Sequence, residues 1–568
     1  MKKSIFYLVV LAICLAAVSA ARAAEDATKI GSEEERLRRP PPTEVPERAI
    51  VPIEIPPEGE LPPVAVGTPP FRVLKVVVDG ATVLPEKMAR SLAAPVINQT
   101  IQLQDLRKVA QAVTRWYRGQ GYVTSRAVVP AQTVEAGAVH LRVVEGRVGQ
   151  IRVEGNRYFS TELLTRYIHI QPGEILRMSR IEEALVQINS NPDRKVKLVL
   201  APSTEPEKTD LILQITDQKP FHAHYGVDTL GTKETGQVRQ SVLVSHGNAT
   251  GHDDRIAVRG IISEFHGLTG GLLSYLRPLT SSGWAATLDI SGVKTEVGGD
   301  QKGLLARGNA ITVSPGLIVP LVRRTAWEME GVVGFDWKRI RTQLDDRANS
   351  KDDLRVARFG TNFLQQDDRG RSLIVQELRV GIPNILGGSY PEDIAASRAK
   401  AGGSFVRWVA NVVRIQKFLW GTSLVLRGSG QLTSDRLVPG EQFRLGGFDT
   451  VRGYPEGVYL ADTGYQSTVE LRAPLEKILP DVGTHEWALW NRLRRSLQLV
   501  GFWDFAEGFL RSPQSGEDAD MRLSGVGCGF RLRPTSQSTL QADFGWPIGD
   551  RDPEKDRPRL HLICRIGF

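Results

Sequence analysis

From Phe221 to Phe568 the chain alternates apolar and polar residues in short stretches, broken by clusters of Gly, Asp, Asn and Pro. Strict alternation predicts half-buried strands, because successive side chains leave a strand on opposite faces. In the last stretch Leu560, Leu562, Cys564, Ile566 and Phe568 share one face. Arg559, His561 and Arg565 share the other, with Ile563 the exception. In 255–262 Ile256, Val258 and Ile262 oppose Arg255 and Arg259. A soluble sandwich alternates as well. What favours a membrane barrel is an arginine-bearing face repeated over 348 residues (568 − 220), with no amphipathic helix to cover a sheet. Lipid-facing barrels use apolar-out, polar-in strands of about ten residues. Sixteen runs start near His222, Val238, Arg255, Leu272, Ala285, Ala310, Trp327, Val356, Leu373, Phe405, Leu424, Tyr465, Leu497, Met521, Thr539 and Arg559. That leaves ~22 residues for each tilted strand and its connection. An even count brings both ends of the barrel to the periplasmic side. The pattern predicts a mainly β fold: a sixteen-stranded antiparallel transmembrane β-barrel, preceded by smaller α+β domains.

Upstream the texture differs. Lys2 and Lys3 precede an apolar run, Ile5 to Ala17, too short to span a bilayer well, and Ala21-Arg22-Ala23 fits a cleavage site. Residues 1–23 therefore read as a secretory signal peptide. Cys14 lies in that run, and Leu11-Ala12-Ile13 before it lacks the small residue of a lipoprotein site. Cys528 and Cys564 remain, read as lipid-facing apolar residues in preference to a disulfide. No later segment has 18 uncharged apolar residues, so no transmembrane helix is expected. Residues 24–70 form an N-terminal segment and a proline-rich linker. Ser32 and Glu35 have capping-box spacing for a very short helix ending before Pro40. The prolines from Pro40 to Pro70 predict an extended, semi-rigid chain.

Residues 71–220 hold an internal repeat. Val73 to Val78 runs into Asp79-Gly80, and Ile151-Arg152-Val153-Glu154 runs into Gly155, 75 positions on (155 − 80). Leu106, Val109 and Val113 recur as Ile181, Ala184 and Ile188 at the same offset, each set on one helix face. Strand-like runs follow at Tyr122–Val129 and Val139–Glu145, then at Val196–Leu200 and Leu211–Thr216. Each copy reads β-α-α-β-β.

Hydrophobic residues are 41%, charged residues 24% and the net charge is +8. The cations are interleaved with acids, and without a dense basic run no nucleic-acid partner is expected. His222 and His224 share a strand face but lack a third ligand, so no metal is expected. No Gly-x-Ser-x-Gly, His-Glu-x-x-His or phosphate-cradling loop occurs. No catalytic residue, enzyme activity or cofactor is expected.

The connection between the eleventh and twelfth runs is unusually long, and structureless loops of that length are usually functional. It carries Phe443-Arg444-Leu445-Gly446-Gly447 and Val451-Arg452-Gly453-Tyr454, where glycines permit tight reversals. In the next run Leu497, Leu499, Trp503 and Phe505 share one parity and Gln498, Phe502 and Asp504 the other, which puts Asp504 in the lumen. A guanidinium matches a carboxylate in two parallel hydrogen bonds, so Arg452 is expected to dock on Asp504. In a wet lumen such a pair contributes about 1 kcal/mol.

Several of these features resemble one family. Both repeat copies look like polypeptide-transport-associated (POTRA) domains, at 71–147 and 148–220 ahead of a barrel at 221–568. Gly121-Tyr122-Val123-Thr124-Ser125, Pro130-Ala131-Gln132 and Val144-Glu145-Gly146-Arg147-Val148 resemble the first POTRA of two-partner secretion transporters (TpsB). The string from Phe443 to Tyr454 resembles that family's sixth extracellular loop, and Gly501-Phe502-Trp503-Asp504 its partner motif on the thirteenth strand. Gly508 sits one place later than the usual pattern. The terminal Phe568 resembles a barrel sorting signal. The resemblance implies an outer-membrane pore of a Gram-negative bacterium, with POTRA domains in the periplasm. It implies export of a large unfolded exoprotein of the haemolysin, haemagglutinin or adhesin type. The loop latch is then Val451, Arg452, Gly453, Tyr454 and Asp504, and the loop base Phe443, Leu445, Gly446 and Gly447. Tyr122, Gln132 and Arg147 are expected to contact the client's N-terminal secretion domain. Outer-membrane lipid is the other partner, and a monomer is expected. The family also implies an N-terminal plug helix. Glu25 to Arg39 is the candidate, with a weak and short helical signal that leaves the plug open. A barrel-assembly insertase and a porin or receptor are the competing readings.

Overall fold

The arginine-bearing face and the lipid-bearing face belong to one closed sheet. In the computed structural model, sixteen antiparallel strands form a barrel in simple chain order, the last pairing with the first. The strands are β1 Phe221–Asp228, β2 Arg239–His246, β3 Arg255–Ser263, β4 Leu268–Pro278, β5 Ala285–Glu296, β6 Ala306–Arg323, β7 Trp327–Leu344 and β8 Arg347–Asp367. They continue as β9 Gly370–Gly381, β10 Phe405–Lys417, β11 Ser423–Thr433, β12 Thr463–Pro474, β13 Leu497–Phe509, β14 Asp520–Leu532, β15 Thr539–Pro547 and β16 Arg559–Gly567. The structure describes residues 29–39, 44–46, 53–54, 69–297, 306–324, 326–345, 347–479, 488–514, 517–535, 537–548 and 557–568. The expected signal peptide and most of the proline-rich linker lie outside them.

Outward positions are apolar and exposed, such as Val258, Phe359, Leu471 and Trp503, while inward Asp336, Lys338, Arg358, Glu470, Asp504 and Asp543 are buried. Charges buried inside a barrel need something in the lumen to pair with. Here two elements supply it: the β11–β12 loop and an N-terminal helix, α1, Ile30–Arg38.

Helix α1 answers a point the sequence leaves open, since the helical signal of Glu25 to Arg39 is weak and short. It packs on β4, β5 and β6 inside the barrel. Ser32 and Glu35 form no capping box. The N-cap is Lys29, Ser32 Oγ donates to the Lys29 carbonyl at 2.7 Å, and Glu35 turns to cations of the wall. Only Ile30 and Leu37 anchor it in apolar contact, against Leu268, Val293, Ala310 and Ile340. A helix polar on most sides carries no amphipathic signal. Its complement is a charged lumen, which helical periodicity does not register.

Residues 49–219 form a separate compact unit. In the first repeat copy Lys75–Asp79 runs parallel to Ala138–Val144, which pairs antiparallel with Arg126–Val128. Helices Glu86–Ala93 and Leu103–Gly119 supply the core, where Leu106, Val109 and Val113 are buried. In the second copy Met178–Asn189 buries Ile181, Ala184 and Ile188 in the same way. The strand expected at Tyr122–Val129 shortens to Arg126–Val128, because Gly121 has φ +88° and turns its carbonyl to accept from Met178 N at 2.9 Å. The second sheet has the order Ile53–Glu54, Arg194–Pro202, Lys208–Asp217, Arg147–Glu154. Its first member comes from the linker and runs parallel to its neighbour, Ile53 beside Leu198.

Each copy is tied by one carboxylate. Glu145 accepts from Thr82 N at 2.7 Å, Val83 N at 3.0 Å and Tyr117 Oη at 2.7 Å. Asp217 accepts from the backbone N–H groups of Arg157, Tyr158 and Phe159. Burial works against the Glu145 charge, but the hydrogen bonds from Thr82, Tyr117 and Val83 outweigh it and hold the carboxyl below its ordinary range. A depressed folded-state value stabilises above the unfolded carboxylate range and stops doing so as pH falls through the folded value. Glu145→Ala should therefore loosen the first copy by about 1–3 kcal/mol at neutral pH. The loss should shrink in acid. Hydrogen exchange of the Thr82 and Val83 amides in the full chain measures it, and equal protection in wild type and variant at neutral pH would contradict the assignment.

Candidate functional site: a charged gate in the lumen

The β11–β12 loop turns back into the barrel as a hairpin, Phe443–Leu445 pairing antiparallel with Tyr459–Ala461. Its tip reverses at Gly446 (φ +91°), Gly447 (φ +107°) and Gly453 (φ +105°), a backbone region costly for any side chain with a Cβ. Val451 and Tyr454 are buried with Leu445, Ala461, Ala506, Met521 and Leu523, so the tip has its own small apolar core.

Between Val451 and Tyr454 stands Arg452, 1% exposed. Its Nε donates to Asp504 Oδ2 at 2.8 Å and its Nη2 to Asp504 Oδ1 at 3.0 Å, a two-pronged fit. The Arg452 backbone N–H reaches the same carboxylate at 3.1 Å. The remaining terminal nitrogen donates to Glu470 at 2.8 Å and to Asp543 at 3.1 Å. The guanidinium lies 3.4 Å above the centre of the Phe502 ring. Behind the acids stand Arg531, 2.5 Å from Asp543, and Arg472, 2.7 Å from Glu470.

The expectation of a solvated pair contributing about 1 kcal/mol does not hold for this environment. Asp504, Glu470 and Asp543 are fully buried. Removing one partner of a buried pair leaves an uncompensated charge and costs about 3–5 kcal/mol. Glu470, Asp543 and the Phe502 face were not singled out from sequence. The signal existed, since Glu470 on β12 and Asp543 on β15 hold the same inward parity that marks Asp504.

The seat is as specific as the charges. A Cβ on Gly525 of β14 would meet the Arg452 carbonyl oxygen at 2.4 Å, and one on Gly545 of β15 would meet the Gly453 nitrogen at 2.7 Å. Loop backbone thus rests directly on strand backbone. Beside the seat the His561 ring packs on Phe448, 5.9 Å between centroids.

The plug and the loop grip each other. Arg36 of α1 bridges to Asp449 and Glu456, both at 2.9 Å, and Glu33 accepts from Arg444 at 2.6 Å. The helix also grips the wall: Glu35 pairs with Lys338 at 2.9 Å and Arg379 at 2.7 Å, and Arg38 donates to Ser314 at 2.6 Å and pairs with Asp336 at 3.2 Å. Glu34 hydrogen-bonds Ser291. Lys338 reaches past the helix to Glu441 of the loop at 2.5 Å.

The other expected residues lie apart from this centre. Phe443, Leu445, Gly446 and Gly447 form the stem of the hairpin. In the first repeat copy Tyr122 packs edge-on against Tyr117, with centroids 5.9 Å apart. Gln132 exchanges two hydrogen bonds with the His140 backbone, at 2.7 and 2.6 Å, and Arg147 donates to the Gly173 carbonyl at 2.8 Å. His222 and His224 lie on β1, and no metal-binding group occurs among the described residues. Cys528 and Cys564 are free thiols, unpaired with each other.

Residues 71–146 match the POTRA domain of ShlB type, residues 147–195 match a second POTRA description, the surface antigen variable number repeat, and residues 207–489 match the haemolysin secretion/activation protein ShlB/FhaC/HecB. The chain belongs to the ShlB/FhaC/HecB family. It is similar to the outer membrane transporter CdiB of Escherichia coli O6:K15:H31, 28% identical over 73% of this chain and 71% of that one. It is 20% identical to the heme/hemopexin transporter protein HuxB of Haemophilus influenzae, over 82% and 81% of the two chains. The solved structure of CdiB from Escherichia coli shares its fold, with TM-score 0.73, 22% identity and coverage of 97% and 98%. This ShlB/FhaC/HecB member is an outer-membrane transporter that exports an exoprotein by two-partner secretion.

The glycine seat yields a specific expectation for the transporter. Gly525→Ala and Gly545→Ala should unseat the tip without touching a charge, raising trypsin cleavage at Arg452 and single-channel conductance. Gly260→Ala on β3, where a new Cβ meets nothing within 4 Å, should do neither. Wild-type cleavage in both seat variants would show that the loop does not depend on this contact.

Proposed function

We propose that helix α1 and the β11–β12 loop form one closure, released together when a client polypeptide engages the POTRA domains at 71–147 and 148–220. The observation that carries this reading is the direct ion pairing between the two, Arg36 with Asp449 and Glu456 and Glu33 with Arg444. Neither element can leave alone without stranding charge on the other. Val451, Arg452, Gly453, Tyr454 and Asp504 act as the latch of the loop, with Glu470 and Asp543 as additional acceptors. Phe443, Leu445, Gly446 and Gly447 act as its stem.

Client entry follows from the second POTRA sheet. An extended peptide adds to an open strand edge through main-chain hydrogen bonds. The edge of Arg194–Pro202 already carries Ile53–Glu54 of the chain's own linker. Ile53 follows Arg38 by 15 positions (53 − 38), a span of at most ~50 Å. A client strand that displaces Ile53–Glu54 thereby frees the tether of α1. Tyr122, Gln132 and Arg147 enter this reading as supports of the first POTRA surface, since their side chains are engaged internally. The client is a large unfolded exoprotein with an N-terminal secretion domain. The chain serves one such exoprotein, as a monomer.

Two outcomes test this. Arg452→Ala and Asp504→Arg should raise basal conductance and lower export while the barrel still assembles. Ile53→Asp, which weakens the self-paired edge, should tighten binding of the client's N-terminal domain and raise channel opening. Unchanged export with both latch variants, or unchanged client affinity with Ile53→Asp, counts against the coupled closure.

A further inference from the structure

The outer wall behind the gate carries a notch. Outward positions of β12 to β15 line up by register in two adjacent rows, Leu471–Gly501–Cys528–Phe544 and Ala473–Leu499–Phe530–Ala542. Ala473, Gly501, Cys528 and Ala542 are small where their neighbours are large. They leave an apolar cavity of about 620 Å³, with Ile478 at its periplasmic foot. A Cβ on Gly501 would meet nothing within 4 Å.

The foot of the notch has a different chemistry. Ile478 ends a short helix, Leu475–Ile478, that follows β12, and a second helix, Ala488–Ser496, leads into β13. Arg494 is buried and ties the two, donating to the carbonyls of Glu476 at 2.8 Å and Leu479 at 2.6 Å. Lys477 and Arg495 on these two helices reach the surface, with Glu476 as the neighbouring acid. Next to Lys477 is the β10–β11 turn, whose Gly421 approaches Pro474 and Lys477. In that turn Leu419 and Trp420 are 81% and 79% exposed. Exposed tryptophan beside basic side chains is the composition of a membrane–water interface, and cations there attract anionic headgroups.

We propose that the periplasmic foot of β12–β13 binds one anionic phospholipid of the periplasmic leaflet, its acyl chain in the notch and its phosphate on Lys477 and Arg495. The site braces the two strands that carry Glu470 and Asp504. It rests on the outer-membrane seat of the barrel and is independent of how the gate opens.

Cys528 lines the notch and reports its occupancy, while Cys564 on β16 serves as the internal reference. The full chain, in detergent micelles doped with dioleoyl-phosphatidylglycerol or dioleoyl-phosphatidylcholine, is treated with a lipophilic maleimide and each cysteine is read by peptide mass spectrometry. Phosphatidylglycerol should slow labelling of Cys528 by about fivefold more than phosphatidylcholine and leave Cys564 unchanged, as two cations offset by the one acid, Glu476, warrant. The variant Lys477→Glu/Arg495→Glu should lose that difference. Gly501→Leu, which fills the notch and keeps both cations, should lose the phosphatidylglycerol retained in native mass spectrometry. Equal protection by the two lipids, protection that survives charge reversal, or lipid retained by Gly501→Leu overturns the proposal.

Discussion

Arg452 carries a full positive charge into a place where it is 1% exposed, and the closed state of the barrel depends on how that charge is met. Three carboxylates and one aromatic face surround it. In a low-dielectric site, losing one partner costs about 3–5 kcal/mol, whereas a complete buried pair is near balance against its hydrated parts. The two numbers describe a gate. Partial opening, with one acid lost, is steeply uphill. Complete withdrawal, in which Arg452 and all three acids meet water together, is far less so. An apolar plug of the same volume would lack this second property, because every withdrawn side chain would expose hydrocarbon to water.

The same logic extends through the lumen. Helix α1 and its C-cap residue Arg39 present Glu33, Glu34, Glu35, Arg36, Arg38 and Arg39 in close succession, and each meets a partner on the wall or the loop. Apolar contact is confined to Ile30 and Leu37, enough to set the register of the helix without making its burial permanent. The loop reaches the wall by backbone contact at Gly525 and Gly545, so the charges are placed by a steric seat. A polypeptide passing through the opened pore would meet a wall already lined with both signs of charge and little apolar surface on which to stick.

Much of this architecture is legible in the sequence. Alternation located all sixteen strands because lipid outside and charge inside force a period of two. The repeat at 75 residues located both POTRA cores, since Leu106 and Ile181 bury the same helix face. The docking of Arg452 on Asp504 followed from loop length and strand parity. Two parts were hidden for physical reasons. Helix α1 has no apolar stripe because its complement is charged, so its burial depends on residues such as Asp336 and Lys338, some 300 positions away. Glu470 and Asp543 look like any other inward acid until the barrel closes and brings β12 and β15 to either side of the loop tip.

In the proposed closure helix α1 stays in the lumen, joined to the loop, and export moves both. Gly308 of β6 faces Ile30 so closely that a Cβ there would lie 3.0 Å from Ile30 Cγ2, within reach of a disulfide. An Ile30→Cys/Gly308→Cys variant, with Cys528→Ser and Cys564→Ser to remove competing thiols, locks the helix to the wall. Under oxidising conditions this variant should show low conductance and arrested export, both restored by reductant. Export at the wild-type rate with the crosslink formed would contradict it.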